Sequence, residues 1–121
     1  MDLTILRVED QTPNCLTTGF LLKLACQVED GATFELALPL IVTREVVAQR
    51  VPLARLAIDY LKTQGLDDWP NFMLDTRHRN LSEIERTEPV FPVKVPLGGT
   101  ELVARQAVSA LTDRREDSAQ A

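Results

Sequence analysis

Apolar and polar residues alternate most regularly between positions 16 and 28. Phe20, Leu22, Leu24, Cys26 and Val28 occupy the even positions, while Lys23, Gln27 and Glu29 occupy odd ones. A period of two places one row of side chains on each face of a strand, so this stretch predicts a strand with one buried and one wetter face. Positions 33–42 repeat the pattern through Phe34, Leu36, Leu38, Leu40 and Val42, with Thr33 and Glu35 opposed. Glu29-Asp30-Gly31-Ala32 lies between the two runs and reads as a turn.

The length of that turn follows from burial. A two-residue Asp30-Gly31 loop would pair Val28 with Thr33 and send the two apolar rows to opposite faces. A three-residue loop, Glu29-Asp30-Gly31, pairs Val28 with Ala32, Cys26 with Phe34, Leu24 with Leu36 and Leu22 with Leu38. Both rows then share one face, and Gly31 falls at the left-handed position that closes such a loop. Three residues are therefore predicted. In this register the nitrogen of Pro39 points away from the hairpin partner, which favours an edge or a bulge there.

The opening stretch 3–8 reads as a further strand with broken alternation, because Leu3 and Ile5 share a parity with Arg7 while Leu6 and Val8 share the other. It is expected to pair with the 16–28 strand through a loop over 9–15. Thr43 then suits a helix N-cap and Glu45 the first turn. Val47, Val51, Ala54, Ile58 and Leu61 recur at helical spacing, and Pro52 interrupts them, so one kinked helix or two abutting ones are predicted, ending at Gly65. Positions 66–80 are irregular. A strand is predicted over 90–95, confined to an edge by Pro89, Pro92 and Pro96. A helix capped by Thr100 and carrying Leu102, Val103, Ala107, Val108 and Leu111 follows it.

The predicted architecture is an α+β fold in β-β-β-α-β-α order, an antiparallel sheet of three to four strands with helices packed on one face. Residues 1–112 are read as a single domain and 113–121 as a disordered C-terminal tail. The 121-residue length suits one domain. With 13 basic against 18 acidic residues the formal charge is −5, which disfavours a polyanionic partner, so nucleic acid is not expected. No apolar run reaches the roughly 20 residues of a membrane span. Neither a signal peptide nor a metal-ligand spacing around Cys15 and Cys26 is seen, and a cytoplasmic setting without metal or cofactor is expected.

Candidate chemistry is sparse. The single histidine stands in Asp75-Thr76-Arg77-His78-Arg79-Asn80. Two arginines beside it disfavour its protonated form and suit a carboxylate or phosphate. No nucleophile is tied to His78 by a motif, so no catalytic residue is assigned. Gly98-Gly99-Thr100 ahead of a helix suits either an anion cradle or a plain turn and cap, the latter being the commoner use. Asp67-Asp68 and the acidic residues Glu83, Glu85 and Glu88 read as solvated surface. Trp69 and Phe72 fall outside the periodic segments, where aromatics either lid the core or anchor a partner. The residues singled out for partner or ligand binding are Trp69, Phe72, Asp75, Arg77, His78 and Arg79. The function expected is a non-enzymatic protein-binding or assembly module acting as a homodimer. The alternative is a small enzyme or anionic-ligand domain with a pocket near Arg77-His78-Arg79.

Overall fold

The computed structural model describes residues 1–11, 19–42, 44–69, 71–78 and 81–120. Three strands open the chain: β1 (Asp2–Asp10), β2 (Gly19–Val28) and β3 (Thr33–Ile41). Two helices follow, α1 (Arg44–Ala48) and α2 (Leu53–Thr63). Then come a short strand β4 (Leu74–Asp75), 3-10 turns at Thr76–His78 and Leu81–Glu83, strand β5 (Val93–Pro96) and helix α3 (Glu101–Gln120). The fold is α+β, as the order of periods implies.

The β2–β3 hairpin has the register that burial demands. Cys26 pairs with Phe34, Leu24 with Leu36 and Leu22 with Leu38. The turn closes through Val28 N–H donating to the Ala32 carbonyl at 2.9 Å and Gly31 N–H donating to the Val28 carbonyl at 2.9 Å. Gly31 adopts φ 95°, a region open to glycine at no steric cost, and Asp30 Oδ1 accepts the Ala32 N–H at 2.9 Å. Both even-numbered rows are buried in one cluster with Leu56, Ala57, Ile58, Tyr60 and Leu61 of α2 and Ala104, Ala107 and Val108 of α3.

The faulty alternation of β1 has a local cause. The β1–β2 register shifts between Ile5 and Arg7, so that Ile5 faces Cys26 while Arg7 faces Ala25 and Val8 faces Leu24. Leu6 is the extra residue of a bulge, and a bulge changes the parity of all that follows. Leu3 and Ile5 before it and Val8 after it thus reach the same face, and Arg7 goes to the other.

The sheet corrects the expectation of three to four antiparallel strands. It has five, in the order β4-β3-β2-β1-β5, and it is mixed. β4 runs parallel to β3, pairing Leu40 with Leu74 and Ile41 with Asp75. A two-residue strand has no period to read, and its parallel sense is set by the helical crossover through α1 and α2. Pro39 therefore stands just before the only stretch of β3 that β4 covers. The last strand starts later than the predicted 90–95: β5 pairs Val93 with Ile5 and Val95 with Leu3 on the far edge.

Pro52 divides the helical stretch into two abutting helices. It is the N-cap of α2, and its carbonyl accepts the N–H groups of Arg55 at 3.0 Å and Leu56 at 3.3 Å. A proline loses nothing there, because no earlier turn exists to need its N–H. Arg50, with φ 56°, makes the bend between the helices. The buried side of α2 is wider than the predicted stripe, taking in Leu56, Ala57 and Tyr60. The chain after β4 explains the extra width: Leu81 and Ile84 join the same cluster, and Arg55 of α2 donates to the Thr87 carbonyl at 2.7 Å. Thr43, expected as the cap of α1, lies outside the described residues. α3 is assigned along 113–120, where a tail was expected, but none of its side chains beyond Thr112 is described.

Candidate functional site

The irregular stretch after α2 is held by a series of short-range bonds. Gly65, at φ 61°, turns the chain out of the helix, and its N–H donates to the Leu61 carbonyl at 3.0 Å. Trp69 N–H then donates to the Leu66 carbonyl at 3.0 Å and Asn71 N–H to the Asp68 carbonyl at 2.8 Å. Leu66 and Phe72 are buried, and the Phe72 ring meets Tyr60 edge-on, with centroids 6.0 Å apart at 89°. Such edge-to-face pairs add about 1 kcal/mol to the burial itself.

From Phe72 to Arg77 the chain alternates between anchored and presented side chains. Phe72 is 7% exposed, Met73 56%, Leu74 3% and Thr76 3%. Leu74 is fixed by pairing with Leu40, and Thr76 Oγ1 donates to the Ile41 carbonyl at 2.8 Å. Met73 consequently projects between two anchored neighbours, and Arg77 follows the anchored Thr76. Trp69 is half-buried against the core rim.

Asp75 and Arg77 are paired with each other. Arg77 N–H donates to Asp75 Oδ1 at 3.0 Å, and Arg77 Nε reaches both carboxylate oxygens at 2.9 Å. Hydrogen bonding to this carboxylate raises the guanidinium above its ordinary range. An anionic ligand at Arg77 has to compete with Asp75 for the same donors.

Of the six singled-out residues, the structure brings Asp75 and Arg77 into contact and sets Trp69 and Phe72 on the same segment, with Phe72 inside the core. His78 closes the 3-10 turn Thr76–His78, but its side chain lies outside the described part of the structure. Arg79 lies outside the described residues, as does Cys15. Among the described residues no three His, Cys, Asp or Glu side chains gather as a metal site, and no helix is long and apolar enough to cross a membrane.

Two features expected to be unrelated meet next to this segment. Asp67 accepts the Thr100 N–H at 2.9 Å and 3.1 Å through its two carboxylate oxygens, so the anion at the start of α3 is a side chain of the same chain. Asp68 accepts the Tyr60 hydroxyl at 2.9 Å. Burial, followed by the bond to Asp68, pushes that phenol well above its ordinary value. The two aspartates are solvent-exposed yet engaged, which corrects their reading as mere solvated surface. Three glycines make the approach possible. A Cβ at Gly65 would lie 1.9 Å from the Gly98 carbonyl oxygen, one at Gly98 2.4 Å from the Lys62 carbonyl oxygen, and one at Gly99 2.6 Å from the Asp67 carboxylate. The glycine pair before a helix was legible as a possible anion cradle. That Asp67 fills it, 33 positions away, had no local signal.

Comparison with family models, with curated proteins and with solved structures gives no match to this chain.

Proposed function

We propose that this chain is a non-enzymatic protein-binding or assembly module that acts as a homodimer, with the 69–77 segment as part of its contact surface. The observation that carries this reading is the alternation at 72–77, which leaves the Met73 thioether exposed between buried Phe72 and Leu74, with the Asp75-bound Arg77 exposed two residues beyond Asp75. Met, Trp and Arg are among the side chains enriched at protein interfaces. Presenting them from fixed backbone lowers the conformational entropy lost on binding. The engagement of Arg77 by Asp75 leaves less support for the anionic-ligand alternative. A reduced, cytoplasmic setting belongs to the same reading, supported by the buried unpaired thiol of Cys26.

Light scattering on a sizing column tests it. The wild-type chain is expected to elute as a dimer that dissociates on dilution, and Met73→Asp to elute as a monomer with an unchanged circular dichroism spectrum. A wild-type chain that stays monomeric at high concentration overturns the homodimer. A dimer indifferent to Met73→Asp removes this segment from the contact.

A further inference from the structure

Between the 3-10 turn Leu81–Glu83 and β5 the chain runs beside α2 with little backbone bonding of its own. Among the described residues no backbone-to-backbone hydrogen bond involves positions 85–92. Glu85, Arg86, Thr87, Glu88 and Val90 are exposed, and Pro89 is the one buried side chain of 85–90. Both ends are fixed. Leu81 and Ile84 belong to the core cluster on one side, and Val93 pairs with Ile5 on the other. The bonds in between are polar. Arg55 of α2 donates from Nε to the Thr87 carbonyl at 2.7 Å and from Nη2 to Thr87 Oγ1 at 3.3 Å, and Nη2 lies 3.1 Å from Glu85 Oε2. Arg86 donates to Gln49 Oε1 at 2.9 Å. The Arg55 side chain is 20% exposed and that of Glu85 71%, so the bonds to Thr87 carry more weight than the solvated ion pair.

We propose that residues 85–90 form a strap that opens by itself, with the sheet and α2 intact, and that Arg55 is its latch. Local opening costs least where few apolar contacts and few backbone bonds are lost, and this stretch has few of either. Closure depends instead on one guanidinium, whose forked donors reach a carbonyl, a hydroxyl and a carboxylate of the strap together. Opening removes Glu85 from a groove of about 140 Å³ that it lines with Arg55, Ile58 and Ile84, and releases the Arg55 donors into it. The device is independent of the homodimer reading, since none of these residues belongs to the 69–77 segment.

Trypsin digestion, with the cut sites read by mass spectrometry, tests the strap at the Arg86–Thr87 bond. Cleavage needs an opened chain, and its rate tracks the population of the open form. In the wild-type chain the rate at Arg86 is expected to change little in urea below the unfolding transition, because opening the strap exposes little surface. Arg55→Met keeps a packed stem and removes the donors. It should speed the cut at Arg86 by about tenfold or more, given the charged hydrogen bonds lost, while the cut at Lys23 in β2 stays as slow as before. A wild-type cut at Arg86 that rises with urea along the full unfolding slope overturns the local opening. Equal rates at Arg86 in the two chains, or a rise shared by Arg86 and Lys23, overturn the latch. Because the urea dependence is taken on the wild-type chain, it remains decisive if Arg55→Met fails to fold.

Discussion

Several single side chains here are defined by what surrounds them rather than by their type. Cys26 sits fully buried between Leu24 and Val28 on the core row, and burial pushes its thiol from an ordinary 9.0 up to about 12. In the unfolded chain the thiol loses its proton first. Above pH 9 the unfolded state therefore binds fewer protons than the folded one, and stability falls as pH rises from 9 towards 12. Tyr60, also raised, acts in the same direction at still higher pH. Urea midpoints measured at about pH 7 and about pH 10 should drop, and the drop should be smaller in Cys26→Ala, which has no thiol to titrate. The folded protein should also leave Cys26 unreactive towards thiol reagents until denaturant is added. Arg50 illustrates the opposite case, a residue under backbone strain. Its φ of 56° costs a non-glycine side chain about 1 kcal/mol. Arg50→Gly is expected to raise stability by up to that amount, read as a higher urea midpoint at unchanged slope, with part of the gain offset by the freer unfolded chain.

Between elements, the junction of α2 with α3 is the most tightly constrained contact. Gly98 N–H donates to the Leu61 carbonyl at 3.0 Å, Gly65 and Gly98 touch backbone to backbone, and Asp67 accepts the Thr100 N–H just ahead of α3. A carboxylate on the free amides of a helix start satisfies donors that have no intrahelical partner and opposes the positive end of the helix dipole. Asp67→Ala should cost about 1 kcal/mol, read as a lower urea midpoint with an unchanged slope. Asp67→Asn keeps an oxygen acceptor and should cost less. Within α3 itself, Glu101 pairs with Arg105 one turn on at 3.0 Å, and hydrogen bonding to Arg105 lowers its carboxyl. Both side chains are well exposed, so the pair adds little to stability.

Across the assembled domain, one sheet face is oily and under helices, while the other carries Arg7 with Glu9, Lys23 with Glu35 and Lys94 with Asp2 as cross-strand or same-strand ion pairs. That charged face is ill suited to burial. The two adjacent residues Phe72 and Met73 separate the fold from the proposed contact. Phe72→Ala should cost roughly 3–5 kcal/mol through the cavity left against Tyr60, measured by chemical denaturation. Met73→Asp, on an exposed side chain, should change stability by no more than about 0.5 kcal/mol while abolishing the proposed dimer.

Where the information was local, it could be read directly. The alternation at 20–28 and 34–42, the parity argument for a three-residue turn and the demand for φ > 0 at Gly31 all lie within two dozen residues. Each was legible because a strand displays its faces at a period of two. The break at Pro52 and the helix after Thr100 were legible for the same reason, since a proline and a capped start act on their immediate neighbours. Of the candidate segment, only its composition could be seen, as Trp69, Phe72 and the arginines stood outside any period. Which of them turn inward depended on what was brought against them: Tyr60 for Phe72, Ile41 for Thr76 and Leu40 for Leu74. The parallel β4, the bulge that restores the phase of β1 and the seat of Asp67 on α3 likewise came from folding. Each joins positions whose proximity is set by the path of the whole backbone, and a one-dimensional pattern carries no record of that path.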